Sequence, residues 1–243
     1  MIVFTRVGLC FGFQALGAAG VMTKQDEVLK LLEECSTEER VAIFKHLRKE
    51  IPIHALEAKL NTQAEVILEA MDRASDLTMR GLRGIITEAA FLVGVLGKLD
   101  GWKVVPVVGD AAYDFLIEDS VGRLNIQVKM QRRVTGAPMK RKGKFVVETQ
   151  RTRGGKDATT GEPTRPYRFG EFDILAVSLH PSTGDWMNFR YTVARWLRPR
   201  AASSDLIDVL QPVSKDVNED WTDNLETAIK WFRKSLKKTI ASF

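Results

Sequence analysis

The chain has 243 residues, enough for one α/β domain and a smaller module. Its 44% hydrophobic content is that of an ordinary globular protein, and its formal charge is +5. Two cysteines, Cys10 and Cys35, exclude a disulfide framework and a zinc-binding spacing, and the 3 histidines (His46, His54, His180) are scattered. The charge is uneven. Between Val121 and Arg168 thirteen Lys/Arg stand against three acids (Glu148, Asp157, Glu162), so about +10 sits there and about −5 is left elsewhere. Such a segment points to a polyanion as partner, because neutralising phosphates supplies most non-specific nucleic-acid affinity. A solvated basic loop is the alternative.

In chain order, residues 1–21 combine one Arg, an apolar middle and small residues, the pattern of a weak signal peptide. The preferred expectation is that translation starts at Met22 and that 1–21 carry no chemistry. No apolar run is long enough for a membrane span, and a cytoplasmic location is expected. From Lys24 the signal is helical, with Val28, Leu31, Leu32 and Cys35 on one face and Cys35 packed there. Ser36/Thr37 with Glu38 and Glu39 cap a second helix through Lys49, whose apolar face is Val41, Phe44 and Leu47/Arg48. A short helix spans His54–Leu60. Thr62 with Glu65 reads as a capping box for a helix from Ala64 to about Ala74. Residues 22–80 thus form an all-α module, either helix-turn-helix-like or a plain small bundle with few basic residues.

Residues 81–243 read as a mixed α/β domain. A helix over Arg83–Leu99 is apolar on nearly every side and is expected to be buried, with Glu88 inside it. Trp102–Val108 opens a sheet, and Phe145–Thr149, Phe172–Leu179 (a central strand) and Met187–Val193 continue it. The Gly154–Pro166 loop is polar. Trp221–Lys238 closes the chain as an amphipathic basic helix with Leu225, Ile229 (or Ala228), Phe232 and Leu236 on one face.

Most informative is the stretch from Tyr113 to Met130, two strands around a Gly122 turn. In the second strand Leu124, Ile126, Val128 and Met130 alternate with Asn125, Gln127 and Lys129, so Gln127 and Lys129 share a face. Asp114 lies within the apolar first strand, where a lone carboxylate is costly and needs a cation as partner.

The ordered series Glu88, Gly101-Trp102, Gly109-Asp110, Tyr113-Asp114 and Gln127-Val128-Lys129 resembles the PD-(D/E)XK, or restriction-endonuclease-like, nuclease superfamily. It is most similar to the branch in which Gln replaces the acid of the (D/E)XK element, as in some homing endonucleases. The matched stretch, Arg83–Met130 with Arg165–Val177 as a further core element, is under half the chain. The resemblance implies a mixed β-sheet core flanked by helices and a Mg²⁺-dependent DNA endonuclease, with Mn²⁺ able to substitute. It implies Asp114 as principal carboxylate ligand and the Val128 carbonyl as a further oxygen. Gln127 would ligate through its amide oxygen or position the metal. Lys129 would orient the attacking water or stabilise charge on the phosphate, and Glu88 would serve as extra ligand or water-holding base. Asp110 competes with Asp114 for the aspartate role. Asp173 reads as a structural hydrogen-bonder, and Glu148 is placed to approach the site.

Arg132, Arg133, Lys140, Arg141, Lys142, Lys144, Arg151, Arg153 and Arg165 are the candidate DNA-binding residues, as phosphate clamps beside the cut. The expected function is a type II restriction-type enzyme cutting double-stranded DNA as a homodimer, with a cognate methyltransferase as a possible partner unreadable from this chain. A junction-resolving nuclease and a non-catalytic DNA-binding protein of the same fold are the rivals.

Overall fold

In a computed structural model of the protein, residues 23–52, 54–109, 111–151 and 165–243 are described. The chain divides into two compact units, one ending at Arg73 and the other running from Ala74 to Phe243.

The described part of the first unit is four short helices, α1 (Lys24–Glu34), α2 (Thr37–Leu47), α3 (Ala55–Leu60) and α4 (Ala64–Asp72). Thr23 with Asp26 and Ser36 with Glu39 form reciprocal capping boxes that satisfy first-turn N–H groups of α1 and α2. The expected box of Thr62 and Glu65 does not form. Gln63 is the N-cap of α4 and makes no side-chain cap bond. Glu65 pairs instead with Arg48 at 2.9 Å, and the Ala64 N–H donates to Glu57 Oε1 at 2.6 Å. Glu57, itself paired with Arg48, is the one buried residue among those described in this unit. The ion-paired knot therefore wins over the local cap. Cys35 is also corrected: it ends α1 half-buried, its Sγ donating to the Leu31 carbonyl at 3.2 Å, rather than sitting in a packed face.

The second unit begins with α5 (Asp76–Gly94), capped by Ser75 and so starting seven residues before Arg83. Of its residues only Thr87 and Phe91 are buried, whereas Ile85 and Val93 are 63% and 72% exposed. The expectation of an all-round buried helix fails because α5 lies against one face of a sheet and packs only its Phe91 row. Around it come β1 (Lys103–Val105), β2 (Phe115–Glu118), β3 (Arg123–Met130), β4 (Arg133–Val134), β5 (Ala137–Pro138), β6 (Lys140–Arg141) and β7 (Lys144–Glu148). Then follow β8 (Ile174–Ser178), α6 (His180–Thr183), β9 (Phe189–Val193), β10 (Pro199–Arg200), β11 (Ser203–Ile207), β12 (Leu210–Val213) and α7 (Leu225–Arg233).

The main sheet has the order β1-β2-β3-β8-β9, in which β3 and β8 are parallel and the other neighbours antiparallel. The fold is thus a mixed α/β sheet with flanking helices. β3 is the middle strand, and every residue of β8 beside it is buried. One core cluster joins Phe91, Ile126, Val128, Ile174 and Phe189 to Ile229 of α7; another joins Leu175, Val177, Phe145, Tyr167 and Trp196. The strand expected at Phe145–Thr149 forms as β7, but in a separate sheet of order β12-β7-β6. The strands over 199–213 carry no clean alternation and were not expected. The closing helix is shorter than expected: Lys234 is its C-cap, Ser235 takes φ +53°, and Leu236 is half-exposed. Among the described residues no helix is long and apolar enough to cross a membrane.

Candidate active site

β2 and β3 form the expected hairpin, with Phe115 opposite Ile126 and Glu118 opposite Arg123. Asp119 closes its turn by accepting the Val121 and Gly122 N–H groups at 2.9 and 3.1 Å. Asp114 stands just before β2, and its N–H continues the ladder to the Ile126 carbonyl at 3.0 Å. The ladder aims its carboxylate across the hairpin. Asp114 Oδ2 accepts the Val128 N–H at 2.8 Å and Gln127 Nε2 at 2.5 Å, while Gln127 Nε2 also donates to the Val128 carbonyl at 3.2 Å. Gln127 is 1% exposed, so the amide is a fixed part of the central strand. Arg123 pairs with Glu118, not with Asp114.

Lys129 follows on the same face of β3, two residues beyond Gln127 and in register with Val177 of β8. It is not at a solvated sheet edge. Burial pushes its ammonium pKa down, opposed by the charges of Asp114, Glu88 and Glu148 in that order, with Arg151 adding to the depression. Glu88 reaches this group from α5, one turn before Phe91, whose buried ring sets the helix against the sheet. Burial raises the Glu88 carboxyl pKa, and the Asp114 charge raises it further. Burial likewise raises Asp114, against the Lys129 charge and the Val128 hydrogen bond. The sequence-selected Glu88, Asp114, Gln127 and Lys129 therefore lie in one electrostatic neighbourhood.

Three further residues complete it. Glu148 on β7 faces Lys129 and pairs with Arg132, and Gln150 donates to the same carboxylate. The Tyr167 ring, 3% exposed, carries the Lys129 ammonium at 5.4 Å and the Arg151 guanidinium at 5.8 Å. Arg151 is held by Glu171 at 3.1 Å. Gln131, fully buried, extends the polar row of β3; its Nε2 donates to the Met139 carbonyl at 3.1 Å, and its Oε1 has no partner among the described residues. Continuing the period-2 count past Lys129 was enough to find Gln131. Tyr167 and Glu171 fall in the Arg165–Val177 stretch singled out as a further core element, but their contacts with Lys129 and Arg151 are long-range and carry no local signal.

Of the proposed basic contacts, Arg133 is exposed on β4 and donates to the Gly136 carbonyl. Lys140 lies over the Phe145 ring at 5.7 Å, and Lys144 Nζ donates to the Ala241 and Ser242 carbonyls at 3.1 and 2.9 Å. Lys142 occupies the β6–β7 turn, and Arg165 is exposed beside Arg151, whose N–H it accepts at 2.9 Å. Arg153 and Asp110 lie outside the described residues. Asp173 behaves as a structural residue, since its Oδ2 accepts the Asn125 N–H at 2.8 Å.

The donor set can be compared with the needs of a hard dication, which takes oxygen ligands and keeps several waters. Among the described residues no three His, Cys, Asp or Glu converge as a ready cage. What converges is a pair of carboxylates, Asp114 and Glu88, whose mutual repulsion a dication would relieve. Asp114 Oδ1 accepts no hydrogen bond among the described residues, and the Val128 carbonyl is adjacent. Two carboxylates and a carbonyl fit a cation bound largely through water. Gln127 fits as a ligand only after its amide turns over, because its nitrogen now faces Asp114.

No family model matches this sequence, and no curated protein does. Among solved structures, a bacterial homing endonuclease aligns with a TM-score of 0.34 and 21% identity, over 58% of this chain and 81% of that one. An alignment that loose is a likeness only and says nothing about activity.

Proposed function

We propose that this protein is a divalent-metal-dependent DNA endonuclease of restriction type. The observation that carries the reading is the half-buried Lys129 ammonium, set on the central strand over the Tyr167 ring and under the charges of Asp114, Glu88 and Glu148. A half-buried lysine, beside two carboxylates that repel one another, suits a reaction that builds negative charge on a phosphate. Asp114, Glu88 and the Val128 carbonyl would hold a Mg²⁺ ion. The ion would supply charge neutralisation at the phosphoryl oxygens and a more acidic bound water.

The protein's own contributions follow from position. Asp114 is pinned by the Val128 N–H and the Gln127 amide, so its free oxygen keeps one direction. Lys129 donates to a non-bridging oxygen of the scissile phosphate, whose charge rises as the attacking water adds. Glu88 takes the water's proton from the α5 side as the bond from phosphorus to the leaving sugar oxygen breaks, and that oxygen takes a proton from solvent. Tyr167 and Glu148 fix the lysine, the ring by its face and the carboxylate by its charge. The basic β4–β7 region beside the site supports duplex DNA as the substrate class. Two copies, each cutting one strand, would make a double-strand break.

Incubating plasmid and short duplexes with Mg²⁺, then mapping the products, tests this. Discrete fragments that vanish with chelator, and with Asp114→Ala or Lys129→Ala, are expected. Preference for branched DNA would replace the restriction reading with a resolving one. One observation favours binding without cleavage: Gln127 turns its amide nitrogen to Asp114 and brings no charge of its own. A mobility shift without any cutting in Mg²⁺ or Mn²⁺ would establish that second reading.

A further inference from the structure

A cavity of about 550 Å³ lies at the β6–β7 hairpin, lined by Arg132, Arg141, Lys142, Arg198, Asp208 and Phe243 among others. We infer that this cavity is a second, non-cleaving phosphate site, which grips the DNA backbone a few nucleotides from the scissile bond. The choice of DNA rests on the nuclease reading above; the anion-binding chemistry does not.

Four cations face one carboxylate there, and the cations are poorly compensated. The Arg132 guanidinium pairs with Glu148 through one nitrogen, while its Nε is buried with no hydrogen-bond partner. The Arg198 backbone is fixed, its N–H donating to Gln211 Oε1 and its carbonyl accepting Gln211 Nε2, both at 2.9 Å. Its guanidinium has no partner among the described residues, and neither has the Lys142 ammonium. Among the described residues Arg141 makes only a cation–π contact, 5.0 Å from the Phe243 ring centroid. Asp208 Oδ1 accepts the Val209 N–H at 2.8 Å, and among the described residues Asp208 forms no ion pair. With four cations against one carboxylate side chain the wall carries an excess of positive potential, and the planar fork of arginine matches a phosphate's oxygens.

The cavity's place in the fold decides which phosphate. Arg132 lies three residues beyond Lys129 on a nearly extended path, roughly 10 Å at the usual rise of a strand. Glu148 spans the two, paired with Arg132 and facing Lys129. That short path puts the cavity within a few nucleotides of the scissile phosphate on a bound duplex. The hairpin that presents Arg141 and Lys142 closes in a tight two-residue turn, with Lys142 and Gly143 at φ of +46° and +78° and Arg141 opposite Lys144.

The test is binding of a fluorescent duplex to the full chain in chelator, where nothing is cut, over a range of salt. Arg198→Ala is expected to weaken binding about tenfold and to lower the salt slope by about one, with Arg198→Lys recovering most of the loss. Lys142→Asn suits the turn's positive φ and removes the charge without endangering the fold, so it should weaken binding in the same direction. The exposed edge residue Lys103, changed to Ala, serves as control. Unchanged affinity and slope in both Arg198→Ala and Lys142→Asn overturn the proposal. It is also overturned if inorganic phosphate stabilises the wild-type fold through Arg198 while duplex binding ignores that residue, which would mark a small-anion site. A protein that never cuts DNA still gives these curves, so failure of the nuclease reading is seen separately.

Discussion

The Gln127 amide donates to Asp114 Oδ2 at 2.5 Å while the Val128 N–H donates to the same oxygen at 2.8 Å. The central strand thus holds the carboxylate with two neutral donors where an acidic residue in place of Gln127 would repel it. Gln127 is consequently a positioning residue: it satisfies Asp114 without metal and gives up one formal charge at the site.

Gln127→Glu reverses that trade. A buried carboxylate beside the half-buried Asp114 should cost about 1–3 kcal/mol in urea denaturation without metal, as a lost buried hydrogen bond would and with repulsion added. Millimolar Mg²⁺ or Ca²⁺ should restore more stability to this variant than to wild type, because a ligand that binds only the folded state stabilises by mass action. Equal metal response in the two proteins would place the cation elsewhere.

Lys129→Met should lower single-turnover cleavage by about 10²–10³-fold, the usual scale for losing one donor aimed at developing charge. Its duplex affinity in chelator should stay within about tenfold of wild type, since the ammonium lies inside the fold and the exposed basic residues carry the binding. Lys129→Arg should not rescue cleavage, because the wider guanidinium cannot take the ammonium's place beside a Tyr167 ring that already carries Arg151 at 5.8 Å. Parallel rate and affinity curves for the three proteins check this.

Much of this site is local, and for that reason the sequence alone revealed it. The Leu124–Met130 alternation sets the face of Gln127 and Lys129, and a hairpin with a short turn puts Asp114 opposite them. Glu88 is legible from the residue series but the burial of its helix is not: composition does not distinguish a helix packed on one side from one packed all round, and Ile85 and Val93 face outward. The Thr62–Glu65 cap was a sound local pattern overruled by Arg48, an ion pair 17 residues away. Tyr167, Glu171 and the β10–β12 strands depend on long-range pairings, which single-sequence periodicity does not encode.

Phe91→Ala should join stability to activity. The Phe91 ring is fully buried, with centroids of Phe115 and Phe189 each at 5.4 Å and that of Tyr191 at 6.3 Å. Truncation should cost about 3–5 kcal/mol in denaturant titration. Where the variant remains folded, cleavage should fall more than Lys129-independent DNA binding does, since Glu88 sits one turn away on the same helix face and loses its anchor. A stability loss with wild-type cleavage would remove Glu88 from the site.

Asp119 should make part of the fold's stability acid-sensitive. Its carboxylate accepts from Arg233 of α7 at 2.6 Å as well as from the two turn N–H groups, tying the β2–β3 turn to the helix. The Arg233 hydrogen bond, then the backbone bonds, hold its pKa below the ordinary 3.8. The folded state therefore prefers the charged form, and the unfolded chain binds the proton first as pH falls. The contribution is complete above the unfolded value near 3.8 and is lost as pH drops through the lower folded one. Asp119→Asn should accordingly melt below wild type at neutral pH, and the two melting curves should converge below pH 3.8. A gap that persists in acid would mean that the amide fails to support the turn, leaving the charge on Arg233 without a role.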